Sequence, residues 1–211
     1  MKNIHFISIM LAMLMVGCAS NEQKAEKLIR ADLEEILLDF DSYEPIKTTV
    51  KEAKQTMYND TACRNKATVL KATMNVALEY AKQGESAKEH MDIWTPSHYS
   101  TKYARAQYAK YREEYINNME KGQAAYDLAM VIGRELKKKI AALDTSKVIG
   151  WSVTHRFRCK NRGGDHTIGE FRYLIDSDFS KVIFSVDMED DEEGIIEVLN
   201  HAASHEFEDA K

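Results

Sequence analysis

Glu197, His201 and His205 recur at intervals of four residues, which stacks their side chains on one face of a helix. Two imidazoles at that spacing can chelate zinc, with a carboxylate as third ligand. The run His201-Ala202-Ala203-Ser204-His205, however, carries Ala where a zinc protease places its general-base Glu. Ile195, Leu199 and Ala202 form the opposite, apolar face, so a solvated polar helix face is the plainer account and no metal is expected. Cys63 and Cys159 each fall on an apolar stripe and are expected to face a core. His155 shares the strand face of Cys159 but stands four residues away, about 13 Å along a strand. That strand alone cannot build a thiolate–imidazole pair.

Two further groups have a chemical and a plain reading. Asp187, Glu189, Asp190, Asp191, Glu192 and Glu193 lack the EF-hand spacing and its glycine, and read as a solvated acidic loop. Tyr99, Tyr103, Tyr108, Tyr111 and Tyr115, interleaved with Lys102, Arg105, Lys110 and Arg112, have the composition of a stacking platform for sugars or nucleic acid. Three of these tyrosines lie on a helical seam and are expected to pack instead. No glycine-rich phosphate loop, nucleophile elbow or carboxylate pair at recognisable spacing occurs. No catalytic residue and no cofactor is therefore expected.

The elements that must position these residues run helices first, then strands. Ala25, Leu28, Ile29, Leu33, Ile36, Leu37 and Phe40 step by three and four, an amphipathic helix that ends before Pro45. Ile46, Thr48 and Val50 alternate and suggest a strand. Asp60-Thr61 can cap a second helix with the stripe Cys63, Ala67, Leu70, Met74, Ala77 and Ala81. From Ala104 through Met119, Gly122 and Leu136 to Ile140 one stripe keeps the 3.6-residue period, which predicts a single long helix over about residues 98–142. Charges placed at Met119 or Leu136 are both expected to be buried.

After Asp144 the period becomes two. Trp151, Val153, His155, Phe157 and Cys159 point one way; Ser152, Thr154, Arg156, Arg158 and Lys160 point the other. Phe171, Tyr173 and Ile175, then Val182, Phe184 and Val186, continue the inward face of an antiparallel meander over about residues 147–187. A last helix runs from Gly194 to about His205. The expected class is α+β, with one helical part over residues 23–143 and the meander with its helix over residues 146–206, together one domain.

At the start of the chain a short apolar run, Ile4 to Val16, follows Lys2 and ends in Met15-Val16-Gly17-Cys18. The run is too short to span a bilayer as a helix. The segment resembles the lipobox signal of bacterial lipoproteins, with Met15 where Leu, Val or Ile is usual. The resemblance implies a signal peptide over residues 1–17, cleavage before Cys18 and acylation of that residue. The domain 18–211 would then be anchored to a membrane of the cell envelope, the outer membrane more readily than the inner. That compartment is oxidising, and with Cys18 consumed by lipid two inward cysteines suggest a Cys63–Cys159 disulfide, the alternative being two inert core thiols. The stretch from Trp151 through His155, Phe157, Lys160 and Asn161 to Gly163, with Asp41-Ser-Tyr-Glu-Pro45 upstream, resembles small uncharacterised envelope lipoproteins of bacteria, in which a strand turns at glycine into a second strand. Those families carry no assigned reaction.

The formal net charge is −5. A chain of that sign is repelled by nucleic acid and by anionic lipid unless its positive charge is clustered, so no nucleic-acid partner is expected. Two functions remain. One is a non-catalytic binding or interaction module for an envelope protein, a glycan or a small molecule. The other is a hydrolase or metal-dependent enzyme using Glu197, His201 and His205, or a histidine brought to Cys159 by the fold.

Overall fold

Ser20 starts the first helix with a reciprocal cap: its hydroxyl accepts from Gln23 N, and the Gln23 side chain accepts from Ser20 N at 3.0 Å. The computed structural model describes residues 19–95, 101–187, 193–204 and Phe207. The segment ending in Cys18, Tyr99, the acidic residues 189–192 and His205 lie outside them. The class is α+β, and the described residues form four α-helices and a four-stranded antiparallel sheet. The chain forms two compact units, one from residues up to Lys54 and from Ser146 to Asp190, the other from Gln55 to Thr145 and from Asp191 onward.

In the first unit, α1 (Asn21–Ile36) lies on a sheet ordered β1 (Glu44–Lys54), β2 (Val148–Lys160), β3 (His166–Ile175) and β4 (Val182–Asp187). Ala25, Ile29 and Leu33 of α1 are buried against Val153, Phe157, Tyr173 and Ile175. The two faces of β2 fall as its alternation requires: Val153, His155 and Phe157 are buried, while Arg156, Arg158 and Lys160 are exposed. The strand suggested by Ile46, Thr48 and Val50 is longer than that core and pairs with β2, setting Thr48 opposite His155 and Val50 opposite Val153. A register shift between Pro45 and Lys47 leaves Ile46 outside the ladder.

The last strand departs from expectation. Ser185 pairs with Tyr173 and Asp187 with Phe171, so these two polar residues take the α1 side. Phe184 and Val186 sit opposite Leu174 and Arg172 on the reverse side, and only Val182 joins the α1 core, after a register shift between Leu174 and Ile175. Alternation fixes which residues share a face but not which face is covered. The turn between β2 and β3 is built by Asn161, whose Oδ1 accepts from Gly163 N at 2.8 Å and from Asp165 N at 3.1 Å. Gly150, at φ 148, passes so close to the Ile175 carbonyl oxygen that a side chain there would collide with it.

The second unit is an antiparallel hairpin of α2 (Thr61–Ile93) and α3 (Lys102–Ala141), with α4 (Glu193–Ser204) on it. Asp60 caps α2 as expected, accepting from Cys63 N at 2.9 Å. α3 is one uninterrupted helix of 40 residues, about 60 Å long. Its register against α2 runs from the Lys66–Glu135 ion pair, 2.5 Å, past Gly122 against Tyr80, to His90 stacked on Tyr111 at 5.0 Å. Leu199 and Ala202 of α4 are buried with Cys63, Ala67, Leu70, Ala129 and Leu136.

Periodicity groups α1 with the other helices and the last helix with the meander; the structure exchanges them. The apolar stripe of α1 matches the inward face of the sheet, and that of α4 matches the end of the hairpin. The long seam is also not sealed throughout. Leu136 is fully buried, whereas Met119 is 44% and Tyr126 43% exposed, because among the described residues a third helix packs at the α4 end of the hairpin alone. Leu136→Ala is expected to destabilise the helical unit by about 2–5 kcal/mol. Met119→Ala should cost under about 1 kcal/mol. Urea unfolding followed by the helical circular dichroism signal checks the contrast, and equal costs would contradict this packing.

Candidate functional site

The place where α4 stops covering the hairpin is a cleft of about 460 Å³, walled by Leu70, Met74, Tyr126, Ala129 and Met130 from the hairpin and by Val198 and Phe207. A second groove of about 270 Å³ continues along the hairpin between Met74, Ala77, Leu78 and Ala81 on α2 and Met119, Gly122 and Tyr126 on α3. Met74 and Tyr126 line both, so the two form one trough. Small residues create it: at Gly122 a Cβ would lie 3.4 Å from that of Tyr80, so the helix backbones approach closely while long Met and Tyr side chains stand as walls. The Phe207 ring occupies the space a side chain at Gly133 would fill.

Glu197 and His201 are exposed on α4 and form the polar edge of this cleft, with the His201 ring edge-on to Phe207 at 6.3 Å. His205, their expected companion, lies outside the described residues, and among those residues no three His, Cys, Asp or Glu side chains are grouped to hold a metal ion. Tyr103 is 63% exposed, and Tyr108, Tyr111 and Tyr115 are half-buried along α3, so the tyrosines spread over the helix rather than forming one platform.

The cysteines are brought to separate cores. Cys63 is buried in the helical unit, and burial together with the Asp60 carboxylate pushes its thiol up to about 11, leaving it protonated and unreactive at neutral pH. Cys159 is half-buried at the end of β2, its Sγ 4.0 Å from Thr167 Oγ1. Both thiols are free, so the expected Cys63–Cys159 bridge is not formed in this structure. One cysteine packs with Ala67 and Leu136 and the other beside the α1–sheet core.

Sequence reasoning put His155 on the inward face but missed what it does there. It is fully buried, with Nε2 2.8 Å from Tyr43 Oη and Nδ1 3.0 Å from Thr48 Oγ1. Thr48 donates its hydroxyl proton to Glu26 Oε1 at 2.7 Å, so its oxygen must accept from His155 Nδ1–H. Nε2 then accepts from the Tyr43 hydroxyl, and the imidazole is neutral with a single tautomer. Burial lowers the His155 pKa, opposed in part by the Glu26 charge. With both nitrogens engaged and no surface exposed, this relay is a satisfied polar core rather than a general base in reach of a substrate. The signal in the sequence was Thr48, a hydroxyl on the apolar face of β1.

A second buried polar pair lies nearby. Asp32 Oδ2 and Tyr173 Oη are buried without a hydrogen bond of ordinary geometry, yet they act on each other. Burial raises the Asp32 pKa most, and burial and the Asp32 charge raise that of Tyr173.

Comparison with protein-family models, curated proteins and solved structures finds no match to this chain. No helix among the described residues is long and apolar enough to cross a membrane.

The His155 relay sets a pH dependence. Unfolding exposes an imidazole with an ordinary pKa of 6.5, while the folded one is lower, so the unfolded state binds the proton first. The stability is complete above pH 6.5 and falls as the pH drops towards the folded value. Thermal unfolding of the wild type should shift downwards between pH 6.5 and 5, before most carboxylates protonate. His155→Gln should be less stable at pH 7 and flatter over that interval. Parallel profiles for the two proteins would contradict a neutral, buried His155.

Proposed function

We propose that the chain is a lipid-anchored, non-catalytic binding module of the cell envelope, held by an acylated Cys18 on the outer rather than the inner membrane. Its helical unit takes an apolar ligand into the trough beside α4. The observation that carries the binding reading is that trough: a concave surface inside the usual size range of ligand sites, walled by Leu70, Met74, Tyr126 and Met130, with Glu197 and His201 at one edge and Asn118 and Gln123 along its continuation. Exposed Leu78, Met119 and Tyr126 continue it along the hairpin, more apolar surface than scattered single residues leave. The anchoring reading is supported by the apolar run ending at Met15-Val16-Gly17-Cys18. The enzymatic alternative draws little support, since among the described residues the titratable groups lining the cleft are Glu197, His201 and Tyr126, and His155 and Cys63 are sealed in cores.

Two measurements test this. Cys18→Ala should release the protein from the membrane fraction or leave an unprocessed precursor; unchanged partition and processing would refute the anchor. A photoactivatable alkyl diazirine should label the trough at Met74, Tyr126 or Met130, mapped by mass spectrometry. Tyr126→Glu, at a partly exposed position, should reduce that labelling several-fold with the helical signal unchanged. Labelling spread evenly over the hairpin, or indifferent to Tyr126→Glu, would refute the trough as the binding surface.

A further inference from the structure

An acidic chain meets polyanions only if its positive charge is clustered, and here it is. The side of the sheet away from α1 carries Lys47, Lys51, Arg156, Arg158, Lys160 and Arg172, all exposed. Pairing sets Lys47 beside Arg156, and Thr154 beside Arg172, while Arg158 and Lys160 follow Arg156 on the same face of β2. Among the described residues the acids on that face are Glu44, which pairs with Arg158, and Glu170, opposite Arg156. From Arg156 to Lys160 the row covers about 13 Å, with neighbouring strands about 4.8 Å apart. Further exposed acids of this unit, Glu22, Glu34, Glu35 and Asp41, lie on and after α1, where Lys24, Lys27 and Arg30 are exposed beside them. The sequence pattern had put Arg156, Arg158 and Lys160 in water; only the β1–β2–β3 register adds Lys47 and Arg172 and makes them one surface.

We propose that this face binds an extended, carboxylate-bearing polymer of the cell wall, glycan strands carrying short acidic peptides. This rests on the envelope location proposed above. Arginine forks suit carboxylates, and a row of cations along a strand suits a linear polyanion better than a single small anion. The bilayer holding Cys18 is the poorer occupant for a geometrical reason. α1 starts at Asn21, and its first turn lies at the Trp151 end of β2, with Lys24 over the Phe179 ring that stacks on Trp151. Lys47, Arg156, Arg158 and Lys160 lie towards the other end of β2, Arg172 and Lys51 stand opposite Thr154 and Ser152, and all six are on the opposite face. Ala19 and Ser20 provide only about 7 Å of reach, so a protein tethered there presents the cations away from its own membrane.

The test is co-sedimentation of the full chain, in detergent, with purified peptidoglycan sacculi, and separately with vesicles containing phosphatidylglycerol in phosphatidylcholine. Sacculus binding should weaken at least tenfold between 50 and 500 mM salt, since exposed charges at this range are screened. It should fall at least tenfold in Arg156→Glu/Lys160→Glu, whereas Lys82→Glu on α2 should bind as the wild type. Circular dichroism confirms that the double variant is folded; if it is not, Arg156→Gln/Lys160→Gln replaces it with the same expectation. No sacculus binding, binding indifferent to these changes, or a salt-sensitive preference for the anionic vesicles that the double variant loses would each overturn the proposal. Sacculus binding does not require acylation, so its outcome is separate from that of Cys18→Ala.

Discussion

A neutral imidazole sealed inside a half-covered sheet is the constraint around which the first unit is built. His155 can be buried only if both ring nitrogens find partners, because an unmet one would cost about 1–3 kcal/mol. Its partners come from different elements: Tyr43 from the turn before β1, Thr48 from β1, and Glu26 from α1 through the Thr48 hydroxyl. Meeting that requirement fixes the register of β1, the entry of the chain into it and the rotation of α1 above it. The aromatic rings around the site, with Tyr43 5.6 Å from Phe157 and Phe40 stacked on Tyr43, close over the relay and keep water out. Arg30 lies 5.3 Å over the Phe40 ring and covers its outer side.

The second unit is governed by a shortage. Two long helices can bury only the stripe between them, and α4, at 12 residues, completes a third wall for a fraction of their length. Where α4 packs, Cys63, Leu136 and Leu199 are fully buried; where it does not, Met119 and Tyr126 meet solvent. The trough follows from helix lengths and from the small residues Ala77, Ala81 and Gly122 that draw the backbones together.

Most elements were legible because their apolar periods are long and unbroken. The single α3, the Asp60 cap and both faces of β2 follow from spacing alone. The grouping of elements was not legible, since a helical stripe states that a face is buried but not against what. The β4 faces were misassigned for a related reason: Val182, Phe184 and Val186 look inward by hydropathy, but pairing with β3 turns Ser185 and Asp187 to the α1 side. The buried relay was hidden because a histidine on an apolar face gives no sign of its partners, which here lie 107 and 112 residues away. The trough was hidden because it is defined by where α4 ends, and the basic face because it needs three strands in register.

The order of the strands in space conceals a detour in the chain. β1 and β2 are adjacent, with Lys54 paired to Val148, yet the whole of α2 and α3 intervenes between them. A disordered connection of that length would make this pairing slow, since distant contacts must wait for a large loop to close. The hairpin shortens the search, because its own ends meet where Lys66 reaches Glu135. Once its local contacts form, β1 and β2 are joined by a folded bridge rather than a long coil. During synthesis β1 emerges well before the strand it needs, and its sequence suits the wait. Pro45 lacks an amide proton, and Lys47, Lys51 and Lys54 discourage an unpaired strand from finding the edge of another chain.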